Sequence, residues 1–415
     1  MNVLIVHQNF PGQFKHLAPR LANRGDRVVA MTMNVAPAFE GIEVHNAAPT
    51  IGTNTQLPWA QDFETKLLRA ESAYRKAREI KAGGFEPDVI VGHMGWGDML
   101  FLKDVWPQAR LGVYCEYFYG HENSDATFDA EFPMPGDALD QAIRLKLKTL
   151  PQRMHFDMAN SGLSPTQFQA DTYPLPFRDK ITVVHDGIDT KALTPPANPQ
   201  IRLSDGRTFG KGDEIVTFVS RNLEPYRGYH IFMRSLPRLM EERPEAKIFI
   251  IGKDGNGYGA NAPHSSWKQI FLDEVKDRID LSRLFFTGAV DYQTFLTLLS
   301  LTRMHVYLTY PFVLSWSLME AMALEAPILA SATGPVMEVI EDGKNGLLFD
   351  FFDPQALAEK GSALLASEEL RRELGQNARR TVIERYDLET RCLPAQIAWV
   401  DALAQSDPKA PFFEN

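Results

Sequence analysis

Arg221 and Arg227 bracket a proline turn in the stretch RNLEPYRGYH, between the apolar run EIVTFVS and a helical pattern. Two guanidiniums beside the free N–H groups of a helix entrance suit a multiply charged oxyanion, with phosphate the first candidate. The plainer alternative pairs both arginines with surface acids such as Glu224. A second stretch, TYPFVLSWSLMEAMALEAPILAS, places an acid, Glu320, at the start of an otherwise apolar helix. Ser317-x-x-Glu320 matches a capping box, and an acid in the first turn suits the helix dipole. The same carboxylate is equally suited to accept hydrogen bonds from a diol, as acids do for a ribose beyond a Rossmann strand. The main-chain N–H groups of Leu314, Ser315, Trp316 and Ser317 form the mouth of that helix and need only backbone to cradle a phosphate.

Weaker signals stand beyond other apolar runs. KIFIIG is followed by KDGNGYGANAPHSSWK, where Gly252 opens a glycine-rich loop that lets backbone approach a ligand; a surface loop explains the glycines equally well. Gly12 sits between the first apolar run and the first helical pattern, where a pyrophosphate can approach its backbone. His93 closes PDVIVGH and Glu116 closes RLGVYCE. A lone histidine at such a place is more often a structural hydrogen-bonder than a catalyst. Trp59, Trp96, Tyr117 and Tyr119 suit stacking on a sugar, and packing accounts for them as well.

These residues need elements to position them. Val3 to Val6 is a continuous apolar run, as a buried parallel strand should be. FPGQFKHLAPRLANRG then reads as a turn and a helix with Phe14, Leu17, Ala18 and Leu21 on one face. RVVAMT, PDVIVGH, RLGVYCEYF and ITVVHDGID are further strands separated by helical patterns. The run 119 to 138, YGHENSDATFDAEFPMPGDA, breaks the rhythm; a structureless run this long is functional or disordered. TPPANPQIRLSDGRTFGKGD reads as a connection with a short hairpin, after which the alternation restarts at EIVTFVS. The fold class is therefore α/β, with two Rossmann-like domains in tandem. The expected divisions are 1–195, 196–385 and a helical tail, 386–415, that packs back on the first domain.

The 415 residues are too many for one ordinary core. A net charge of −10 argues against nucleic acid as a partner. The two cysteines, Cys115 and Cys392, lie far apart without metal spacing, which fits a reducing cytoplasm. The N-terminal run lacks a basic flank and reads as a strand, not a signal peptide. No apolar run is long enough for a membrane-spanning helix.

The order of the pieces is more specific than any one of them. From FVSRNLEPYRGYHIFMRSLP through LFFTGAVDYQTF to SLMEAMALEAPILASATGPVMEVIEDGKNGLLF, the chain resembles the C-terminal half of the family-4 retaining glycosyltransferases. The likeness is strong over about 190 to 390 and looser over 1 to 190. It implies the GT-B fold, two Rossmann-like domains facing each other across a donor cleft. It implies that Arg221 and Arg227 hold the donor diphosphate and that Glu320, the second acid of a Glu-x7-Glu motif, holds the ribose. Backbone near Val290 would lie by the base and Gly12 by the phosphates. Two departures stand out. The first acid of the motif is Phe312, followed by Val313-Leu314-Ser315 instead of Gly-Phe-Gly, so the contact to the donor sugar is changed or lost. Where relatives carry a histidine after the fifth strand, this chain reads Cys115-Glu116-Tyr117, so Glu116 or Tyr117 would contact sugar or acceptor.

The resemblance thus implies transfer of a sugar from a UDP- or GDP-linked donor to a carbohydrate or small hydroxyl acceptor, with retention. Peripheral membrane association would follow if the acceptor is lipid-linked. No Asp-x-Asp motif ends a strand, so no metal or other cofactor is expected. Phe312 also leaves room for a catalytically weak carbohydrate- or nucleotide-binding protein, and a sugar-nucleotide epimerase is a third reading.

Overall fold

The computed structural model describes residues 1–120, 124–203 and 205–407. Two compact units emerge. The first is built from residues up to Thr127, from Pro135–Gly187, and from Leu388 onward. The second takes Ile188–Asp387 and, in addition, the short stretch Phe128–Met134. The polar run at 119 to 138 is therefore not structureless where it is described: part of it is packed on the second unit. Its residues 121–123 lie outside the described residues.

Seven strands form the first sheet: β1 (Asn2–Val6), β2 (Arg27–Thr32), β3 (Ile42–Asn46), β4 (Val89–His93), β5 (Arg110–Tyr114), β6 (Ser161–Ser164) and β7 (Ile181–Val183). They run parallel in the order β3-β2-β1-β4-β5-β6-β7. Val3, Leu4, Ile5 and Val6 are all fully buried because both faces are covered. Leu4 and Val6 join one apolar layer with Ala73, Ala77 and Phe85. Val3 and Ile5 join the other with Leu17, Leu21, Trp399 and Leu403. The helix Leu393–Gln405 thus packs on this sheet; Trp399 and Leu403 lie against Gly112 of β5, and Trp399 Nε1 donates to Ser161 Oγ at 2.9 Å.

A two-stranded antiparallel hairpin, β8 (Gln200–Arg202) with β9 (Thr208–Gly210), opens the second unit's main stretch. Its sheet contains β10 (Ile215–Asn222), β11 (Lys247–Lys253), β12 (Leu284–Gly288), β13 (Met304–Tyr307), β14 (Ile328–Ser331) and β15 (Leu347–Phe349). These are also parallel, in the order β12-β11-β10-β13-β14-β15. Each sheet has one place where the winding reverses: between β1 and β4, and between β10 and β13. In open α/β sheets ligands bind beyond the carboxyl ends of the strands at such reversals. No described helix is long and apolar enough to cross a membrane.

Candidate functional site

In the second unit the reversal lies between β10 and β13, and the residues that follow those two strands meet there. Arg221 stands near the end of β10, exposed, with no acid paired to it among the described residues. Arg227 follows a single 3-10 turn, Pro225–Arg227, and is only 8% exposed. Its Nη1 donates to Thr309 Oγ1 at 2.7 Å and to the Val313 carbonyl at 3.1 Å. Its guanidinium faces the rings of Tyr258 and Phe312, at 5.3 and 5.7 Å from their centroids. Burial opposes its charge, but the surrounding tyrosine oxygens outweigh that and hold it protonated. No carboxylate among the described residues pairs with it.

The alternative, a pairing of the arginines with Glu224, does not occur. Glu224 is fully buried, and its carboxylate accepts N–H groups from Gly257, Tyr258 and Gly259 at 3.0, 3.2 and 3.1 Å. The glycine-rich loop is thus folded onto this buried side chain. Gly252 has a reason within the sheet: a Cβ there would lie 2.6 Å from the Ser220 carbonyl on β10. Phe312, in place of the motif acid, is buried and meets Tyr226 edge-on at 5.1 Å and Tyr258 at 5.0 Å. Aromatic rings therefore surround this position.

The helix Trp316–Ala323 corrects the capping-box reading. Ser315, not Ser317, is its N-cap: Ser315 Oγ accepts the Ser317 N–H at 3.2 Å, and the Ser315 N–H donates to Tyr307 Oη at 2.9 Å. Glu320 consequently lies beyond the first turn, where neither a capping box nor the dipole explains it. Its Oε1 instead accepts from Tyr292 Oη at 2.7 Å. Tyr292 is 57% exposed and follows the half-buried Val290 closely in sequence, so Glu320 and the segment after β12 do converge. Of the mouth residues, Leu314 is buried, and Arg227 reaches the chain just before it through Val313. Arg227, Phe312 and the mouth of this helix are brought together; among the described residues no side-chain contact ties Arg221 to them.

In the first unit the reversal gathers His7, Gly12, His93 and Glu116. His7 follows β1 directly and His93 ends β4; their rings meet edge-on at 5.8 Å. Each ring is locked by its own loop: His7 Nδ1 accepts the Asn9 N–H at 3.1 Å, and His93 Nδ1 the Gly95 N–H at 3.0 Å. His93 also stacks between Trp96 and Tyr114. Glu116 Oε1 accepts from Gln13 Nε2 at 3.0 Å, and its Oε2 lies 3.4 Å from His93 Nε2. Burial would raise the Glu116 carboxyl, but His93, then His7 and Gln13, outweigh it and hold it below the usual range. Burial, with His93 alongside, pushes His7 down to about 4, so that ring is neutral near pH 7.

Gly12 is explained by its neighbour. Its φ is +48°, and a Cβ would run into the His7 ring. Gly12→Ala should therefore destabilise the protein by about 1–3 kcal/mol from backbone strain alone, with the displaced ring adding to it. The check is a thermal melt; an unchanged midpoint would mean that His7 is free to move aside.

His7, Gln13, Tyr258, Tyr292 and Thr309 were not singled out from sequence. His7 was findable, because it immediately follows the first apolar strand. Tyr258, in a loop, and Tyr292, the first residue of the helix Tyr292–Leu301, had no such mark.

Two family profiles match the chain: "Glycosyl transferase family 4 group" over residues 24–193 and "Glycosyl transferases group 1" over 202–381. Spore coat protein SA of Bacillus subtilis is 31% identical over 223 residues, 49% of this chain and 54% of that protein. N-acetyl-alpha-D-glucosaminyl L-malate synthase of Bacillus anthracis is 25% identical over 209 residues, half of each chain. The chain thus spans about half the length of these relatives. D-inositol 3-phosphate glycosyltransferase of a Nocardioides species is matched more fully, at 24% identity over 87% of this chain and 78% of that one. Among solved structures, sucrose-phosphate synthase from Thermosynechococcus elongatus superposes with a TM-score of 0.71 at 17% identity, over 98% of this chain and all of that one. Anabaena HepE in complex with UDP-glucose does so with a TM-score of 0.65 at 17% identity, over 97% and 99%. At these identities the structural likeness establishes the fold alone.

Proposed function

Because the chain belongs to the family-4 glycosyltransferases, of GT-B fold, we propose that it moves a sugar, with retention, from a nucleoside-diphosphate sugar to a hydroxyl acceptor. The observation that carries this reading is Arg227: a buried guanidinium with no acid paired to it among the described residues, at the reversal of the second sheet. A buried charge is costly unless paired. A site that keeps one unpaired is a site for an anion, and two phosphates beside a helix mouth fit it.

In this reading Arg227, Arg221 and the N–H groups entering the helix Trp316–Ala323 stabilise the charge that grows on the leaving diphosphate. Glu320 accepts the ribose hydroxyls in exchange for Tyr292 Oη. The segment from Val290 to Tyr292 lies along the base. A leaving phosphate oxygen takes the acceptor proton, so no protein base is required. Glu116, ionised and oriented by Gln13 and His93, binds hydroxyls of sugar or acceptor. Aromatic rings around Phe312 replace the acid that meets the sugar in relatives, so the donor is selected by ring stacking and shape. HepE, a structural neighbour, holds UDP-glucose, which makes it the first donor to try. The two cysteines, both buried and far apart in the sequence, fit a cytoplasmic reaction.

A thermal-shift panel of UDP, GDP and their sugars, followed by turnover with a range of hydroxyl acceptors, tests this. The expected result is one nucleotide that raises the melting point and one sugar that is transferred or slowly hydrolysed. Binding without turnover across the whole panel would reject the enzyme in favour of a carbohydrate- or nucleotide-binding protein. Arg221→Ala should lower kcat about a hundredfold, the cost of one lost oxyanion donor. Unchanged turnover in that variant would remove Arg221 from the site.

A further inference from the structure

Residues 128–134 are anchored on the second unit by two phenylalanines. Phe128 sits among Tyr310, Phe351 and Phe352, with ring centroids 5.2, 5.1 and 4.9 Å away. Phe132 meets His230 and Trp267 edge-on, each at 5.1 Å. Between the two anchors, three side chains of metal-ligand type come together. One oxygen each of Asp129 and Glu131 and one ring nitrogen of His230 all lie within 4.8 Å of one another.

The buried part of this group is unusual. The side chains of His230 and Asp129 are 0% and 3% exposed, and His230 Nε2 is 3.2 Å from Asp129 Oδ2. Yet neither ring nitrogen of His230 makes an aligned hydrogen bond. Leaving a buried polar group unsatisfied is costly and calls for an explanation. On a tetrahedral ion with bonds of about 2.0–2.1 Å, two ligand atoms stand roughly 3.3 Å apart, close to the separation here. Glu131, whose side chain is 47% exposed, completes the set from the surface, its oxygen within 4.8 Å of the other two ligand atoms.

The surroundings resemble a supporting shell. Tyr310 Oη donates to Asp129 Oδ2 at 2.6 Å and the Glu131 N–H to Asp129 Oδ1 at 2.9 Å. Arg234 grips Glu131 with two bonds, at 2.7 and 2.6 Å, which fixes the carboxylate and leaves a second lone pair on each oxygen. Arg234 also pairs with Glu274. Three carboxylates against one guanidinium leave two negative charges around the His230 ring, the balance a divalent cation would cancel.

We propose that Asp129, Glu131 and His230 bind a divalent transition-metal ion, with zinc the best match to one imidazole and two carboxylates, and that the ion fastens the 128–134 segment to the second unit. The alternative occupant of the same geometry is a proton, giving a plain His230–Asp129 pair.

The test uses full-length, tag-free protein, stripped with chelator, dialysed and titrated with Zn²⁺ by calorimetry in the absence of nucleotide. Failure of the donor reading therefore leaves this result untouched. The expected outcome is one equivalent bound, with Co²⁺ giving the visible absorption of a four-coordinate ion at the same stoichiometry. Glu131→Gln, a change at the surface, should weaken binding at least tenfold while leaving the metal-free melting point in place. His230→Gln should abolish it. No saturable uptake by the wild type, or equal uptake in wild type and Glu131→Gln, would overturn the proposal and leave the proton as sole occupant.

Discussion

Arg227→Met is expected to give a protein that melts no lower than the wild type and turns over at least a hundredfold more slowly. The two halves of that expectation have one origin. Taking a guanidinium out of water costs several kcal/mol even after relaxation. Here that cost is offset by two hydrogen bonds to neutral groups and by aromatic faces. Hydrogen bonds from a charged donor contribute about 1.5–3 kcal/mol each, so the ligand-free site is close to balance. Methionine keeps much of the volume, carries no charge and packs well against Tyr258 and Phe312. The anion then has nothing to meet, and the loss of one charged donor at a developing oxyanion is worth about 10²–10³ in kcat. A paired thermal-shift measurement sharpens the result. Nucleotide at a hundred times its Kd stabilises a binding-competent protein by about 2.7 kcal/mol, and the variant should lose most of that increment. A variant that melts well below the wild type yet keeps its nucleotide response would mean that Arg227 is a structural cation, and the donor site would have to be sought elsewhere.

The two sheets were legible because their strands are continuous apolar runs, which only a sheet covered on both faces demands, and because helical patterns separate them. The reversal points followed once the strands were ordered, and with them the places to look for His93, Glu116 and Arg227. What sequence could not supply is decided by partners far along the chain. Ser317-x-x-Glu320 has the right letters for a capping box, but the chain turns in two residues earlier at Ser315, and Glu320 is engaged by Tyr292 from another helix. Glu224 looked like a surface partner for arginine; it is buried because the glycine-rich loop donates three N–H groups to it across more than thirty residues. The segment at 128–134 is the clearest case. Its polar, proline-rich neighbourhood reads as loop, while its fixed position rests on Phe128, Asp129 and Phe132 meeting aromatic and imidazole side chains at 230, 267, 310 and 351. No local pattern encodes such pairings.

Lowering the pH from 7 to 5.5 should cost the protein several kcal/mol of stability, most of it in the first unit. Burial pushes His7, His155 and His185 down to about 4 and His305 to about 3. In the unfolded chain each titrates near 6.5. Below 6.5 the unfolded chain therefore takes up protons that the folded protein refuses, so stability falls with pH until about 4. At pH 5.5 that is about 1 kcal/mol per histidine. Asp98 works the other way: burial raises it to about 6, so the folded state binds its proton first and gains stability as pH falls through that value. One acid against four histidines returns only about 1 kcal/mol at pH 5.5. Glu116, held below its usual range, contributes stability that is lost only at lower pH still. Three of the four histidines belong to the first unit, and His305 on β13 to the second. Scanning calorimetry at pH 7 and 5.5 reads the effect as a drop in Tm. His155→Gln supplies the control, because an amide can still donate to the Pro151 carbonyl that His155 Nδ1 contacts at 2.7 Å but cannot take up the proton. Its drop should be smaller than the wild type's by one histidine's share. A Tm that is flat or rising between pH 7 and 5.5 would mean that these imidazoles find water, or each other, in the folded state and are not held neutral by their burial.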